Sequence, residues 1–401
     1  MRVLAPALIG AALAASCPSV AVAESQNSSA ASGGDARLAR AQAPMLAVAD
    51  ALERAGEHSG AAGFAGITLD VPGGFVDLYW KGTPPAAVAR EAGKRHAGFR
   101  VRTHPAKHSA AELDQHARSV LRTHGVGVGG SVHRVTPLPD GTGIEVGVVA
   151  GQGKRTAVPQ PADPLVVRTE TEAMPTPYAS RWGGDAPWEA GIQINSCSVA
   201  FPGYAREDDG RITRKLISAA HCFRPGDQVR TNVPGGPSQV IGTVQAVDDG
   251  LDTALIAVDN GDVTNRMWDG GVEDGTEYTK VIAGTSAPRN GSLVCTSGAF
   301  SGVHCDIKIT KTNSTLDWGT HTSRGVSTGD QLQKLLASGS GDSGGPVFTL
   351  TGDGSQVLAA GVIIGGDPAR PASCTYRSTR CSTRLLFTDF RTVKARWGLY
   401  T

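Results

Sequence analysis

Two alternating runs, GITLDV (66–71) and FVDLYW (75–80), are separated by Pro72-Gly73-Gly74 and predict a β-hairpin. Residues 83–94 follow with helical spacing, and Pro84 and Pro85 lie near the start, where a missing N–H does no harm. FRVR (99–102) reads as a further strand. Ser109-Ala110-Ala111-Glu112 forms a capping box, and Leu113, Ala117, Val120 and Leu121 fall on one face of the helix it opens. Residues 132–135 and 143–149 flank Pro139-Asp140-Gly141 and predict a second hairpin. Upstream, residues 45–58 fit a short helix with Leu46, Val48, Ala49 and Leu52 to one side. The pattern describes a small α+β domain over about residues 60–150.

On either side the pattern changes. Residues 24–45 are rich in Ala, Ser, Gly and Gln and read as a disordered leader. Residues 152–178 carry Pro159, Pro161, Pro164, Pro175 and Pro177 and read as a linker. From about 179 to 401, short apolar strands alternate with Gly, Asp and Asn turns, the pattern of a sandwich or barrel. One all-β domain can hold that length.

Composition narrows the function. The chain has 401 residues, is 40% hydrophobic and 19% charged, and carries a formal net charge of +1. That balance gives no electrostatic case for nucleic acid or an anionic membrane. The first 23 residues join a positive Arg2, an apolar run and a small-x-small end at Ala21-Val22-Ala23, which is a secretory signal peptide. Pro6 and Pro18 disfavour the alternative of an uncleaved membrane anchor. The mature protein is therefore expected outside the cell, with no membrane attachment once the signal is removed. Cys17 leaves with the signal, and Cys197, Cys222, Cys295, Cys305, Cys374 and Cys381 remain. An even number in an exported domain reads as disulfides, but six cysteines allow fifteen pairings and sequence alone does not choose.

No C-x-x-C pair, phosphate-binding loop or nicotinamide fingerprint is present, so no cofactor or metal is expected. His104 and His108 lie four apart, but no carboxylate or cysteine joins them in a recognisable metal-binding spacing. Three other stretches carry chemistry. ISAAHC (217–222) puts His221 after an apolar strand and beside a cysteine. DTALIAV (252–258) puts Asp252 at the head of a buried strand. GDSGGPVF (341–348) sets Ser343 among glycines, as a nucleophile needs if backbone N–H groups are to converge on an oxyanion. The order His, Asp, Ser differs from those of subtilisin and the α/β-hydrolases.

These three motifs closely resemble those of chymotrypsin-like serine proteases, and above all the secreted bacterial members such as streptogrisins and α-lytic protease. The resemblance covers about residues 179–401 and implies a double β-barrel. The α+β block upstream is similar to the pro-regions of the same proteases, which assist folding and then inhibit. The resemblance makes Ser343 the nucleophile, His221 the general base and Asp252 its orienting carboxylate, with Gly341 and Ser343 supplying the oxyanion hole. The expected disulfides are sequence neighbours: Cys197–Cys222, Cys295–Cys305 and Cys374–Cys381. The third departs from the streptogrisin pattern, where a cysteine precedes the nucleophile loop. Asp342 is not a base; in relatives its counterpart pairs with a new N-terminal ammonium or an internal arginine.

The expected architecture is thus all-β, a chymotrypsin-like double barrel preceded by a small α+β pro-domain, with residues 1–23 as signal and 24–178 as pro-region. The pocket for the side chain before the scissile bond maps to Ala337, Ser338, Ser340, Ile364, Gly365 and Gly366. Uncharged Ala337 and open Gly365-Gly366 favour a small or apolar side chain, with Asp367 beside the wall as the residue that argues otherwise. Ile364 replaces the usual serine of its strand, so one hydrogen bond to Asp252 is expected to be missing. The expected partners are protein or peptide substrates and the chain's own pro-region. A catalytically inactive binding module and an esterase are the alternatives on the same fold.

Overall fold

A computed structural model describes residues 33–60, 62–149, 164–172, 188–232, 238–272 and 279–400. The signal segment 1–23 and prolines 159, 161, 175 and 177 lie outside these residues. The first described element is a helix, Gly33–His58, so the leader expected to be disordered is helical from residue 33. Ala, Leu and Arg make up about half of this stretch and are strong helix formers. The helix also has surfaces to bind. Met45, Leu46, Ala49 and Leu52 pack with Ile67, Leu69, Val76, Leu78, Trp80 and Val88. The folded N-terminal unit therefore begins well before residue 60.

Strands Phe64–Asp70 and Phe75–Trp80 pair antiparallel, and Arg100–Pro105 joins the second in parallel. A parallel pair needs a crossover, supplied here by the helix Ala86–Ala92. That helix is shorter than the spacing suggested, because Pro85 occupies the N-cap and Gly93 the C-cap. Ser109 and Glu112 exchange both capping-box hydrogen bonds at the head of Ala110–His124. Leu113, Ala117, Val120 and Leu121 of this helix pack on Val132, Val135, Ile144, Val146 and Val148.

The stretch read as a linker contains a strand, Val166–Glu172, paired in parallel with Ile144–Val149. Its composition masks it, but Val166 packs beside the same core and Glu170 meets Arg134 and Lys311. The neighbouring strand Val132–Pro137 pairs antiparallel with Gly302–Asp317, at Val135↔Thr315 and Arg134↔Leu316. One sheet thus runs from the N-terminal unit into the C-terminal one.

The C-terminal part is all-β, a chymotrypsin-like double barrel. The first barrel orders Gln228–Asn232, Ser238–Asp248, Thr253–Val258, Ile212–Ser218, Pro202–Arg206 and Leu399–Tyr400. Ile194, Val199, Leu216, Val229, Ile241 and Ile256 fill it. The second is built on Leu293–Gly298, Gly302–Asp317, Thr322–Gln331, Pro346–Leu350, Gln356–Gly366 and Arg384–Asp389. Val294, Ile307, Val347, Ile363, Leu385 and Phe387 fill that one. Phe201, Ile217, Phe348, Val362 and Phe390 form a further cluster that draws on both barrels. Disulfides join Cys197–Cys222, Cys295–Cys305 and Cys374–Cys381.

Candidate active site

Strand Ile212–Ser218 ends in a short 3-10 turn, Ala220–Cys222, that presents His221. Asp252 takes a left-handed backbone conformation, φ +49°, immediately before strand Thr253–Val258. That kink turns its carboxylate back onto His221. Oδ1 accepts the His221 backbone N–H at 3.0 Å, and Oδ2 lies 2.7 Å from His221 Nδ1. Asp252 is buried, and the imidazole is about one-seventh exposed (15%). A carboxylate fixed at two points fixes the ring as well, with Nδ1–H donating and Nε2 turned away from the pair.

Ser343 reaches the same place through backbone. Its carbonyl accepts the Ser198 N–H at 2.8 Å. The Ser198 carbonyl accepts the Ser218 hydroxyl at 2.8 Å, three residues before His221. The Ser343 loop is therefore laced to the strand end that carries His221. Gly344 sits where that lacing is tightest: at φ +82°, a Cβ there would stand 2.2 Å from Ser218 Oγ. Gly341 has φ +100°, and a Cβ on it would meet the Phe300 ring at 2.3 Å. Both positions need glycine, in backbone and in space.

Asp342 is buried, and its carboxylate is turned onto backbone amides. Its Oδ2 accepts Gly339 N–H at 2.7 Å, and Oδ1 accepts Ser301 N–H at 3.0 Å and Phe300 N–H at 3.2 Å. Among the described residues it is held by backbone amides rather than by an arginine. Burial pushes its carboxyl up to about 6 despite these donors.

The residues mapped to the specificity pocket are all buried and fall into different surroundings. Ala337 belongs to the second-barrel core with Leu385 and Phe387, whereas Ile364 packs with Leu316, Val326 and Leu386. Ser338 bridges to Ser382, and Ser340 N–H donates to Thr379 O. Gly365 and Gly366 pair with Leu386 and Leu385. Asp367 is committed to cations: Oδ2 lies 3.4 Å from Arg384 Nη1 and 3.8 Å from Arg370 Nε. With Ile364 apolar, a different tie supports the Asp252 turn. Thr388 Oγ1 donates to Leu251 O at 2.8 Å. Sequence reasoning gave no role to Ser198, Ser218 and Thr388, because each acts across 20 or more residues on a backbone carbonyl; Ser218 lies within ISAAHC, but the motif does not show which carbonyl it meets.

No family model matches the chain. It is 32% identical over 203 residues to streptogrisin C of Streptomyces griseus, an alignment that covers 50% of this chain and 38% of that protein. Similar solved structures include Thermobifida fusca protease A, at 24% identity over 53% of this chain and 96% of that one, TM-score 0.38. A Nocardiopsis protease is similar at 24% identity over 53% of this chain and 98% of that one, TM-score 0.39. Over those 203 residues this chain is a homologue of streptogrisin C, and it spans well under half of that protein's length.

Proposed function

We propose that the chain is a secreted serine endopeptidase, made as a zymogen, that hydrolyses peptide bonds with Ser343, His221 and Asp252. The observation that carries this reading is the two-point Asp252–His221 contact, on a strand end laced through Ser198 and Ser218 to the Ser343 loop. Ser343 Oγ bonds to the scissile carbonyl carbon as His221 Nε2 takes its proton. Asp252 holds the tautomer and stabilises the imidazolium. The N–H groups of Gly341 and Ser343 receive the oxyanion, and its collapse expels the amine with the proton from His221. Water then repeats the sequence on the acyl-enzyme.

Residues 24–178 are assigned to the pro-region. The continuous sheet through Val135↔Thr315 supports this, as does Gln42, whose side-chain amide donates to Leu293 O and accepts from Leu293 N. Disulfides fit an oxidising compartment, and no helix among the described residues is long and apolar enough to cross a membrane. Protein or peptide substrates with a small or apolar side chain before the scissile bond fit best, since Asp367 is tied to two arginines.

The test is intact mass, N-terminal sequencing and fluorophosphonate labelling of secreted protein, wild type beside Ser343→Ala. Wild type should appear as a fragment of roughly 220 residues, the size one domain can hold, and should label. The variant should stay full length, unlabelled, with kcat down by about a million-fold. A wild type that neither processes nor labels would leave an inactive binding module. Ester cleavage without peptide cleavage would leave an esterase.

A further inference from the structure

The two oxyanion donors are aimed by different means. A trans peptide is planar, so the direction of a carbonyl fixes the opposite direction for the N–H that follows it. The Ser343 N–H follows the Asp342 carbonyl, which accepts Gly345 N–H at 2.8 Å inside the same turn. The Gly341 N–H follows the Ser340 carbonyl. That carbonyl accepts the hydroxyl of Ser378 at 2.9 Å, 38 residues away. Ser378 is buried, and the same hydroxyl stands at a longer 3.5 Å from Thr379 O, so its one proton goes to Ser340.

Ser378 belongs to the loop closed by Cys374–Cys381. The loop is moulded onto the nucleophile segment. Ser340 N–H donates to Thr379 O at 2.9 Å, and Thr375 Oγ1 donates to Phe300 O at 2.8 Å. A Cβ on Gly339 would stand 2.2 Å from Ser378 Oγ and 2.7 Å from Cys381 Sγ, so the two segments touch without spare room. At Gly341 itself φ is +100°, a conformation that glycine reaches easily and also leaves easily. Its own carbonyl is pinned by Ser198 Oγ at 2.8 Å. Asp342 N–H closes a turn onto Gly339 O at 3.1 Å around this peptide, but such a turn can hold its central peptide in either orientation; among the described residues the side chain that donates to the Ser340 carbonyl is Ser378.

We propose that Ser378 is a positioning residue for catalysis: its hydroxyl holds the Ser340–Gly341 peptide so that the Gly341 N–H faces the oxyanion. This rests on the serine-protease reading above. It gives the Cys374–Cys381 loop a role at the reacting carbonyl, although no atom of the loop needs to touch substrate.

The test is steady-state kinetics on Ser378→Ala and Thr375→Ala, both made in the full-length chain and assayed as expressed. Each removes one hydroxyl of the same loop that donates to a backbone carbonyl, but only Ser378 acts on the Ser340–Gly341 peptide. An absent oxyanion donor costs roughly 10²–10³ in kcat. Ser378→Ala should therefore lose on the order of 10²-fold in kcat, with KM within a few-fold. A peptide aldehyde, whose adduct with Ser343 presents an oxyanion, should lose affinity in parallel. Thr375→Ala should keep kcat near wild type. Equal kcat in all three proteins, or equal losses in both variants, would overturn the proposal while leaving the protease reading intact. A wild type inert toward peptide and fluorophosphonate would overturn both.

Discussion

The Asp342 carboxylate accepts N–H groups from Gly339, Phe300 and Ser301, and burial pushes its pKa from 3.8 to about 6. Between those values the folded chain holds more protons at this site than the unfolded one. The site's contribution to stability therefore falls as pH rises through that window and levels off once Asp342 is ionised in both states. Asp342→Asn removes the titration but keeps an oxygen for the amides. The Tm of wild type minus that of the variant should thus fall from about pH 4 to about pH 6, the window in which the site titrates, and stay flat above it. Thermal melts across that range check it, and a difference that rises or stays flat between those values would contradict the assignment. The same carboxylate shows where motif reading stops. GDSGG marks Asp342 as a structural acid, but its amide partners at 300 and 301 lie about 40 residues away in a stretch with no recognisable signature.

Among the elements, the turn Ala220–Cys222 depends most on a covalent tie. Cys197–Cys222 spans 25 residues and has Ser198 beside one end and His221 beside the other. Closing a loop of that size is worth about 3 kcal/mol, so the double variant C197S/C222S should lose that much in urea unfolding. A loss below about 1 kcal/mol would mean that the packing of Val199 and Phe223 in the first barrel already holds the turn. Elements with local signals were legible in the sequence. The Ser109 capping box, the FVDLYW alternation and the strand of DTALIAV each state their structure within a few residues. Elements stabilised by distant partners were not. The helix from Gly33 looks like a low-complexity leader until Gln42 meets Leu293, and strand Val166–Glu172 hides among prolines until it pairs with Ile144–Val149.

At the scale of the whole molecule, the sheet that joins the N-terminal unit to the second barrel carries a buried ionic cluster. Arg134 and Glu145 are almost wholly buried and meet at 2.8 Å. Lys311 of the long barrel strand pairs with Glu145, and with Glu170 at 2.6 Å. Burial alone would raise the Glu145 carboxyl, but the Lys311 hydrogen bond and the charges of Arg134 and Lys311 outweigh it and hold it below its usual range. Arg134 stays with Glu145 when the two parts separate, so only the Lys311 share of the lowering favours assembly; that share is present above the ordinary carboxylate range and is lost as pH falls through the lowered value. If the chain is cut as proposed, the hold of the N-terminal part on the barrels should be flat at neutral pH and weaken only in acid. Removing one member of a buried pair costs about 3 kcal/mol, so Glu145→Gln should raise the dissociation constant of the cleaved complex by roughly 10²-fold at neutral pH. It should also flatten the acid dependence, because the titrating group is gone. Titration calorimetry on wild-type and variant complexes over a pH series checks both. If Glu145→Gln weakens the complex yet keeps the full acid dependence, Glu145 is not the group that makes this interface sensitive to acid, and the assignment falls.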